Sequence, residues 1–310
     1  MPRVANGRAT RHPSGEPPKL LISPHIGINV PSGCWSVKYL PDNIVFLLSY
    51  FSDEICKTCP GKDHSMQKQG TLLKSPVAAA YPTLVETYLH IQKDAAVETA
   101  EKGRTLIHED DFADHSMLLL DGWVAFSKML PDGEIQIIDV MLPGDFALIG
   151  AVNAPVAACT IEALSDVRFI KILPAQANGP EVEMEQLRSL FAGEIVRMQA
   201  RTSELLLRMG KGNAASRVAY ALLEFHVRLE AIDLSKDGYF EFPMNQHKLG
   251  EFTGLSNVHV CRTLRRFERE GIISHPTYTA IQLNDLDALC MLAGINLDAF
   301  RHEILIKRSK

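Results

Sequence analysis

The sequence predicts an α+β chain built as an antiparallel β-roll, a long helix and a C-terminal helix-turn-helix with a wing. Three observations predict it. Between Arg104 and Ile172 the hydrophobic pattern has a period of two, broken by Gly, Pro and Asp turns. From Phe191 to Met209 apolar residues instead step by four and three. From Pro243 to Leu283 two short helical patterns flank a glycine, and a hairpin pattern follows. A chain of 310 residues with 46% hydrophobic residues can bury two medium cores.

Composition bounds the function. The net charge of −5 argues against a surface coated in base, so contact with nucleic acid must be local. Between Lys248 and Glu270 the cations Lys248, Arg262, Arg265, Arg266 and Arg269 outnumber Glu251, Glu268 and Glu270. Six scattered cysteines do not make a disulfide scaffold in a chain this long and fit a reducing cytoplasm. The longest apolar runs, Val218 to Leu223 and Ala288 to Ala293, fall far short of the ~20 residues that cross a bilayer. The basic N-terminus has no apolar stretch behind it at signal-peptide spacing.

In chain order, Met1 to about Pro24 is rich in Pro, Gly, Arg and Ser and reads as disordered. Ile26 to Gly70 is irregular. Cys56, Cys59 and His64 fall in it, but two thiols and one histidine are fewer than the four ligands of a structural metal site. A translation start at Met66 would begin the chain shortly before the patterned region. Pro82 to Ala100 reads as a helix, with Leu84, Tyr88, Ile91 and Ala95 at helical spacing. Strands are then expected at Arg104 to His108, Ser116 to Leu120, Val124 to Met129, Ile135 to Val140, Phe146 to Gly150, Val156 to Ile161 and Val167 to Ile172. The turns Asp121-Gly122, Pro131-Asp132-Gly133 and Pro143-Gly144-Asp145 separate several of them, as in a barrel or jelly roll.

Glu181 to Met209 is the long helix. Phe191, Ile195, Met198, Thr202, Leu205 and Met209 form an a/d seam for a second copy, leaving Leu187, Leu190 and Leu206 for the roll. Gly210 to Asn213 is expected to break the helix and act as a hinge. Ala214 to Leu229 is a further helix whose Val218, Leu222, Phe225 and Leu229 face a core, and Gly238 to Phe242 is a strand. Asn245 caps a short helix buried through Leu249 and Phe252, which Gly254 ends. Ser256 caps the next, where Val260, Leu264 and Phe267 form the buried stripe, and Asn257, Cys261, Arg262, Arg265 and Arg269 lie opposite. Gly271 to Leu283 alternates as a wing; Asp285 to Ala293 is a helix, and Leu297 to Lys310 an amphipathic appendage. The segments divide at 1–80, 81–180, 181–212 and 213–310.

The residues Gly254-Leu255-Ser256, Val258-His259-Val260, Arg262-Thr263-Leu264, Phe267 and Gly271-Ile272-Ile273 resemble the winged helix-turn-helix of the Crp/Fnr family, the cyclic-AMP receptor protein and fumarate-nitrate reductase regulators. Gly122-Trp123-Val124, Asp132-Gly133, Ile137-Ile138-Asp139 and Leu142-Pro143-Gly144-Asp145-Phe146 resemble the family's cyclic-nucleotide-binding roll, so the likeness runs from about Tyr81 to Gly294. The resemblance implies a cytoplasmic, homodimeric transcription regulator that binds a double-stranded operator and contacts RNA polymerase, with no enzymatic activity. It places Asn257, Val258, Cys261 and Arg262 at the base-reading positions and Asn245, Ser256, His259 and Arg265 on the DNA backbone. Val258 stands where the family often has a glutamate.

The effector is less defined. The family's nucleotide binders meet the phosphate with an arginine, yet from Phe146 to Thr160 this chain has no Arg, Lys, Glu or Asp. Burying a phosphate there without a cation would be costly, which argues against cyclic AMP. The family's iron-sulfur variant has a ligand where this chain has Phe169-Ile170-Lys171, and more N-terminal cysteines than Cys56 and Cys59; Cys159 is expected to be a core thiol. Haem on His108 or His115, a small metabolite, thiol redox state, or no effector remain open. Two other readings compete. A cupin-like metal enzyme would need clustered ligands, and only His108, Glu109 and His115, split across a loop, are at hand. A partner-binding module that has lost DNA contact would carry Val258 and Cys261 as signs of decay.

Overall fold

A computed structural model describes residue 77 and residues 97–150, 154–172 and 181–305, all within one compact unit, Lys62–Lys310. Two four-stranded antiparallel sheets face each other. One has the order β1 (Val97–Ala100), β8 (Val167–Ile172), β3 (Ser116–Asp121), β6 (Phe146–Ala147). The other runs β2 (Thr105–Ile107), β7 (Thr160–Ala163), β4 (Val124–Met129), β5 (Ile135–Met141). This is the expected roll.

Strand β3 is covered on both faces, which explains why it reads as a continuous apolar run where other strands alternate. Met117 and Leu119 of β3 turn inward to Val124, Phe126, Met141, Ile161 and Phe169. Leu118 and Leu120, on the opposite face, pack with Phe146, Ile170, Leu190 and Phe191. Three expectations are corrected. Val97 to Ala100, read as the end of a helix, is a strand, because it pairs with β8 from Val97↔Ile170 to Ala100↔Val167. The strand expected at 156–161 starts at Thr160, and Val156 makes only an isolated bridge to Phe112. The strand expected at 146–150 stops at Ala147. Residues 82–96, Cys56, Cys59, His64 and Met66 lie outside the described residues.

The long helix α1 spans Glu181–Lys211, and α2 spans Ala214–Glu230. The hinge is therefore shorter than expected. Gly210 and Lys211 continue the helix, and only two residues separate it from α2, whose N-cap Asn213 accepts from Ser216 N. Arg217 fastens this junction. Its guanidinium donates to Met209 O at 2.6 Å and Gly212 O at 3.0 Å, and also to Gly254 O at 3.2 Å in the C-terminal half.

The seam of α1 is also corrected. Leu205 is only 6% exposed and lies in the core, Phe191 meets Phe146 edge-on, and Met209 packs on the same core as Leu205. Leu206, assigned to the roll side, is 68% exposed. The outward stripe comprises Ile195, Gln199, Thr202 and Leu206, still at steps of four, three and four, flanked by Val196 and Leu207. Ile195 and Thr202 of the expected seam are in this stripe, whereas Leu205 and Met209, which satisfy the same spacing, pack inward.

The remaining elements are β9 (Tyr239–Glu241), α3 (Gln246–Thr253), α4 (Asn257–Arg269), β10 (Ile273–Thr277), β11 (Ala280–Leu283), α5 (Leu286–Ala293) and α6 (Leu297–Leu305). β10, β11 and β9 form a three-stranded sheet. Helix α2 is buried from Val218 to Leu229 because it lies between two halves. Trp123 of the roll packs against Phe225 of α2 with the rings tilted by 58° and 4.9 Å between centroids, and meets Phe242 edge-on at 5.9 Å. Such aromatic pairs add about 0.5–1.5 kcal/mol each beyond burial. Gln136 also donates to Phe252 O at 3.2 Å, and Lys248 pairs with Glu162 at 2.9 Å. The roll and the C-terminal domain share one core.

A cluster of charges lies at this junction. Arg201 of α1 grips Asp139 of β5 through Nε and Nη2, the latter at 2.8 Å, and reaches Glu194 at 3.3 Å. Arg197 also binds Glu194. Arg228 of α2 donates to Val140 O at 2.7 Å and Glu224 at 2.9 Å, and binds Asp145 at the rim. Apart from Asp145, all of these side chains are buried. Burial pushes the Glu194 and Glu224 carboxyls up. Burial opposes ionisation of Asp145 too, but Arg228 and Arg201 outweigh it and hold that carboxyl below its usual range.

Two predictions follow from this packing. Arg201→Leu should cost about 3–5 kcal/mol in urea unfolding, because Asp139 and Glu194 would be left buried without their cation. Adding Asp139→Asn should return part of that loss. His226 is 1% exposed; its Nδ1 pairs with Ser235 Oγ at 2.8 Å, while Nε2 has no hydrogen-bond partner among the described residues. Burial, aided by Arg301 and opposed by Glu230, lowers its pKa from 6.5. The unfolded chain thus takes up a proton that the folded one resists, so this site's contribution is full above about pH 6.5 and falls as pH drops below it. Relative to His226→Gln, the native protein should lose stability through that window.

Candidate nucleic-acid interface

Local sequence builds the helix-turn-helix. Asn245 Oδ1 accepts from Lys248 N at 2.9 Å and starts α3; Gly254, at φ 63°, ends it in the left-handed region that favours glycine. Gly250 is a second requirement that the sequence did not flag. A Cβ there would sit 2.6 Å from Leu255 O, so the turn closes against bare backbone. Leu249 and Phe252 are buried as expected, and Val260, Leu264 and Phe267 form the buried stripe of α4, joined by Thr263.

Ser256 occupies the N-cap position of α4 without a side-chain cap bond. Its hydroxyl pairs instead with His259 Nδ1 at 2.9 Å. On the free side, Asn257, Val258, His259, Arg262, Arg265 and Arg269 are exposed and Cys261 is half-buried. Asn245 is exposed, but its amide oxygen is engaged in capping. The base-reading candidates Asn257, Val258, Cys261 and Arg262 therefore share one helix end with the backbone candidates Ser256 and His259, with Arg265 further along.

Electrostatics separate the cations into two groups. Lys248 is held by Glu162 and Glu251, and Arg266 by Glu270 at 2.8 Å. Among the described residues, Arg262, Arg265 and Arg269 make no ion pair or hydrogen bond. Their donors are solvated and available to an anion or a base edge. No carboxylate precedes Glu268 in α4, and Glu268 is turned to His275 of β10 at 2.7 Å, which fastens the wing strand to the helix.

The roll's inner face holds Met117, Leu119, Val124, Phe126, Met141, Ile161 and Phe169, with Leu148 and half-buried Cys159 packed against them. Burial pushes the Cys159 thiol up. Glu109 is bound by Lys128, and His115 by Asp114 at 2.9 Å. Among the described residues, no three His, Cys, Asp or Glu side chains form a group able to hold a metal ion. No helix among them is long and apolar enough to cross a membrane.

Known proteins match the same regions. Residues 97–177 match a cyclic nucleotide-binding domain, and residues 216–292 match a Crp-like helix-turn-helix domain. The nitrogen fixation regulation protein FixK of Bradyrhizobium diazoefficiens is 30% identical over 181 residues, 56% of this chain and 71% of FixK. The transcriptional activator protein FnrA of Stutzerimonas stutzeri is 25% identical over 199 residues, 64% of this chain and 81% of FnrA. The solved structure of FixK2 from Bradyrhizobium japonicum superposes with a TM-score of 0.55 at 26% identity, covering 64% of this chain and 96% of FixK2. A roll, a long helix and an exposed, unpaired helix face in this order, with these relatives, identify the chain as a member of the Crp/Fnr family of DNA-binding transcription regulators.

Proposed function

We propose that the chain acts as a homodimer that reads a two-fold symmetric operator through α4. The observation that carries this reading is the free face of that helix, where exposed Arg262 has no partner among the described residues while the opposite side is buried. A guanidinium so placed can bond the two acceptors of a guanine in the major groove. Asn257, Val258 and Cys261 are its neighbours at base edges; Asn245, Ser256, His259 and Arg265 are the backbone contacts. In the two-fold arrangement the half-sites lie about one helical turn (~34 Å) apart. The stripe Ile195, Thr202 and Leu206, flanked by Val196 and Leu207, is the surface for the second copy. An apolar ridge of this kind on a helix that already buries its other side needs a cover.

In this reading the roll is the sensor and cyclic AMP is not its effector. Residues 146–160 supply no cation for a phosphate, and the inner face described above is apolar. Haem, a small apolar or acidic metabolite, the redox state of a thiol, or no effector at all are the remaining readings, and RNA polymerase is the partner in transcription. The buried charges supply a route from sensor to reader. Asp145 immediately precedes β6 and is bound by Arg228 of α2, so a shift of the roll at this turn reaches the C-terminal domain directly. The effector then works by shifting the population between arrangements of the two halves.

Arg262→Ala should abolish the sequence-specific footprint, the loss of a bidentate base contact being worth about 1–3 kcal/mol per half-site, while sedimentation still gives a dimer. An unchanged footprint would overturn the assignment of the reading helix. Leu206→Glu should shift the protein to a monomer in sedimentation and weaken operator binding with it; a variant that remains dimeric would move the interface elsewhere.

A further inference from the structure

Arg262 gives the reading face its hydrogen bonds, but the residue one turn before it gives none. Val258 is 57% exposed, in the first turn of α4, and belongs to no core cluster. A single exposed valine on a protein surface is unremarkable. Its place gives it meaning: Val258 and Arg262 are four residues apart, so they are neighbours on the same side of the helix. A branched aliphatic side chain thus stands beside the one guanidinium assigned to a base edge.

The chemistry of the groove narrows what can lie against it. In the major groove the bases present acceptors, amine donors and one apolar group, the 5-methyl of thymine. A valine pressed on a cytosine amine would strip its water and return no acceptor, and α4 has no carboxylate before Glu268 to supply one. Pressed on a thymine methyl, it removes two apolar surfaces from water together. The step from Val258 to Arg262 is about 6 Å along the helix axis, less than two base-pair steps of about 3.4 Å.

We propose that Val258 is a specificity-determining residue that reads the 5-methyl of a thymine lying within about two base pairs of the guanine bonded by Arg262. The half-site of this regulator then pairs one hydrogen-bonded guanine with one methyl-read thymine. This rests on the reading of α4 as the base-contacting helix. Because Val258 is exposed and belongs to no core cluster, its truncation leaves the fold intact.

The test uses the full chain and a duplex selected by it from a randomised pool. Each thymine of the selected half-site is replaced singly by deoxyuracil, which keeps every hydrogen-bonding group and removes only the methyl. One such replacement, close to the Arg262-dependent guanine, should weaken the native protein about fourfold per half-site, the worth of one buried methyl. Val258→Ala should bind the thymine and uracil duplexes alike, and 5-methylcytosine at that position should be bound more tightly than cytosine by the native protein only. If no single deoxyuracil matters, or if Val258→Ala keeps the full difference, the proposal is overturned, while selection lost with Arg262→Ala leaves the reading helix standing. A native protein that selects no sequence overturns both.

Discussion

The arrangement depends on the burial of Arg201 and Arg228 between the roll and the helices that follow it. Each guanidinium spans two elements: Arg201 joins α1 to Asp139 of β5, and Arg228 joins α2 to Asp145 and to Val140 O. In a low-dielectric junction a cation is tolerated only when its donors are matched, and the acids are costly without the cations. Four carboxylates, Asp139, Asp145, Glu194 and Glu224, face three guanidiniums, Arg197, Arg201 and Arg228. Burial pushes the Glu194 and Glu224 carboxyls up, and the neighbouring arginines oppose that shift. The geometry is specific in a way apolar packing is not. Sliding one half against the other by an ångström would unmake several charge-assisted bonds at once.

Against this background the reading face stands out by contrast. Cations of the junction are paired: Arg197 and Arg201 with Glu194, Arg208 with Glu204, Arg228 with Glu224. Arg262, Arg265 and Arg269 of α4 are left to solvent, while Arg266 is paired with Glu270. Three arginines without an ion pair among the described residues thus lie on one short helix of a chain whose net charge is −5. That suits a protein whose attraction to phosphate must be local, so that non-specific binding stays weak while a correctly docked dimer gains from both helices.

The sequence made the elements legible and left the junction obscure, for physical reasons. The recognition helix was readable because buried stripe, cap and turn glycine repeat a local pattern at fixed spacing. Val124 to Met129 and Val167 to Ile172 were readable from their period and their flanking turns. Val97 to Ala100 was not, since Ala95, Val97 and Ala100 fit a helix as well as a strand and only pairing with β8 decides. Of the seam expected on α1, Ile195 and Thr202 are exposed and Leu205 is buried: three consecutive leucines, Leu205 to Leu207, satisfy two registers, and the core takes Leu205. The burial of Arg201 was not legible, because nothing local tells a charged residue that its partner, Asp139, lies 62 positions away. Gly250 was passed over because the backbone that crowds it belongs to the turn that follows.

Arg217 gives the molecule a further property. One side chain closes the carboxyl ends of two helices, α1 through Met209 O and α3 through Gly254 O, and also ties the linker through Gly212 O. Those carbonyls carry the partial negative charge of helix ends, and the same planar fork meets them all. A pivot about the two-residue linker cannot release one contact and keep the rest. One guanidinium thus couples the end of α1, the linker and the end of α3, so a displacement of any of the three is felt by the other two.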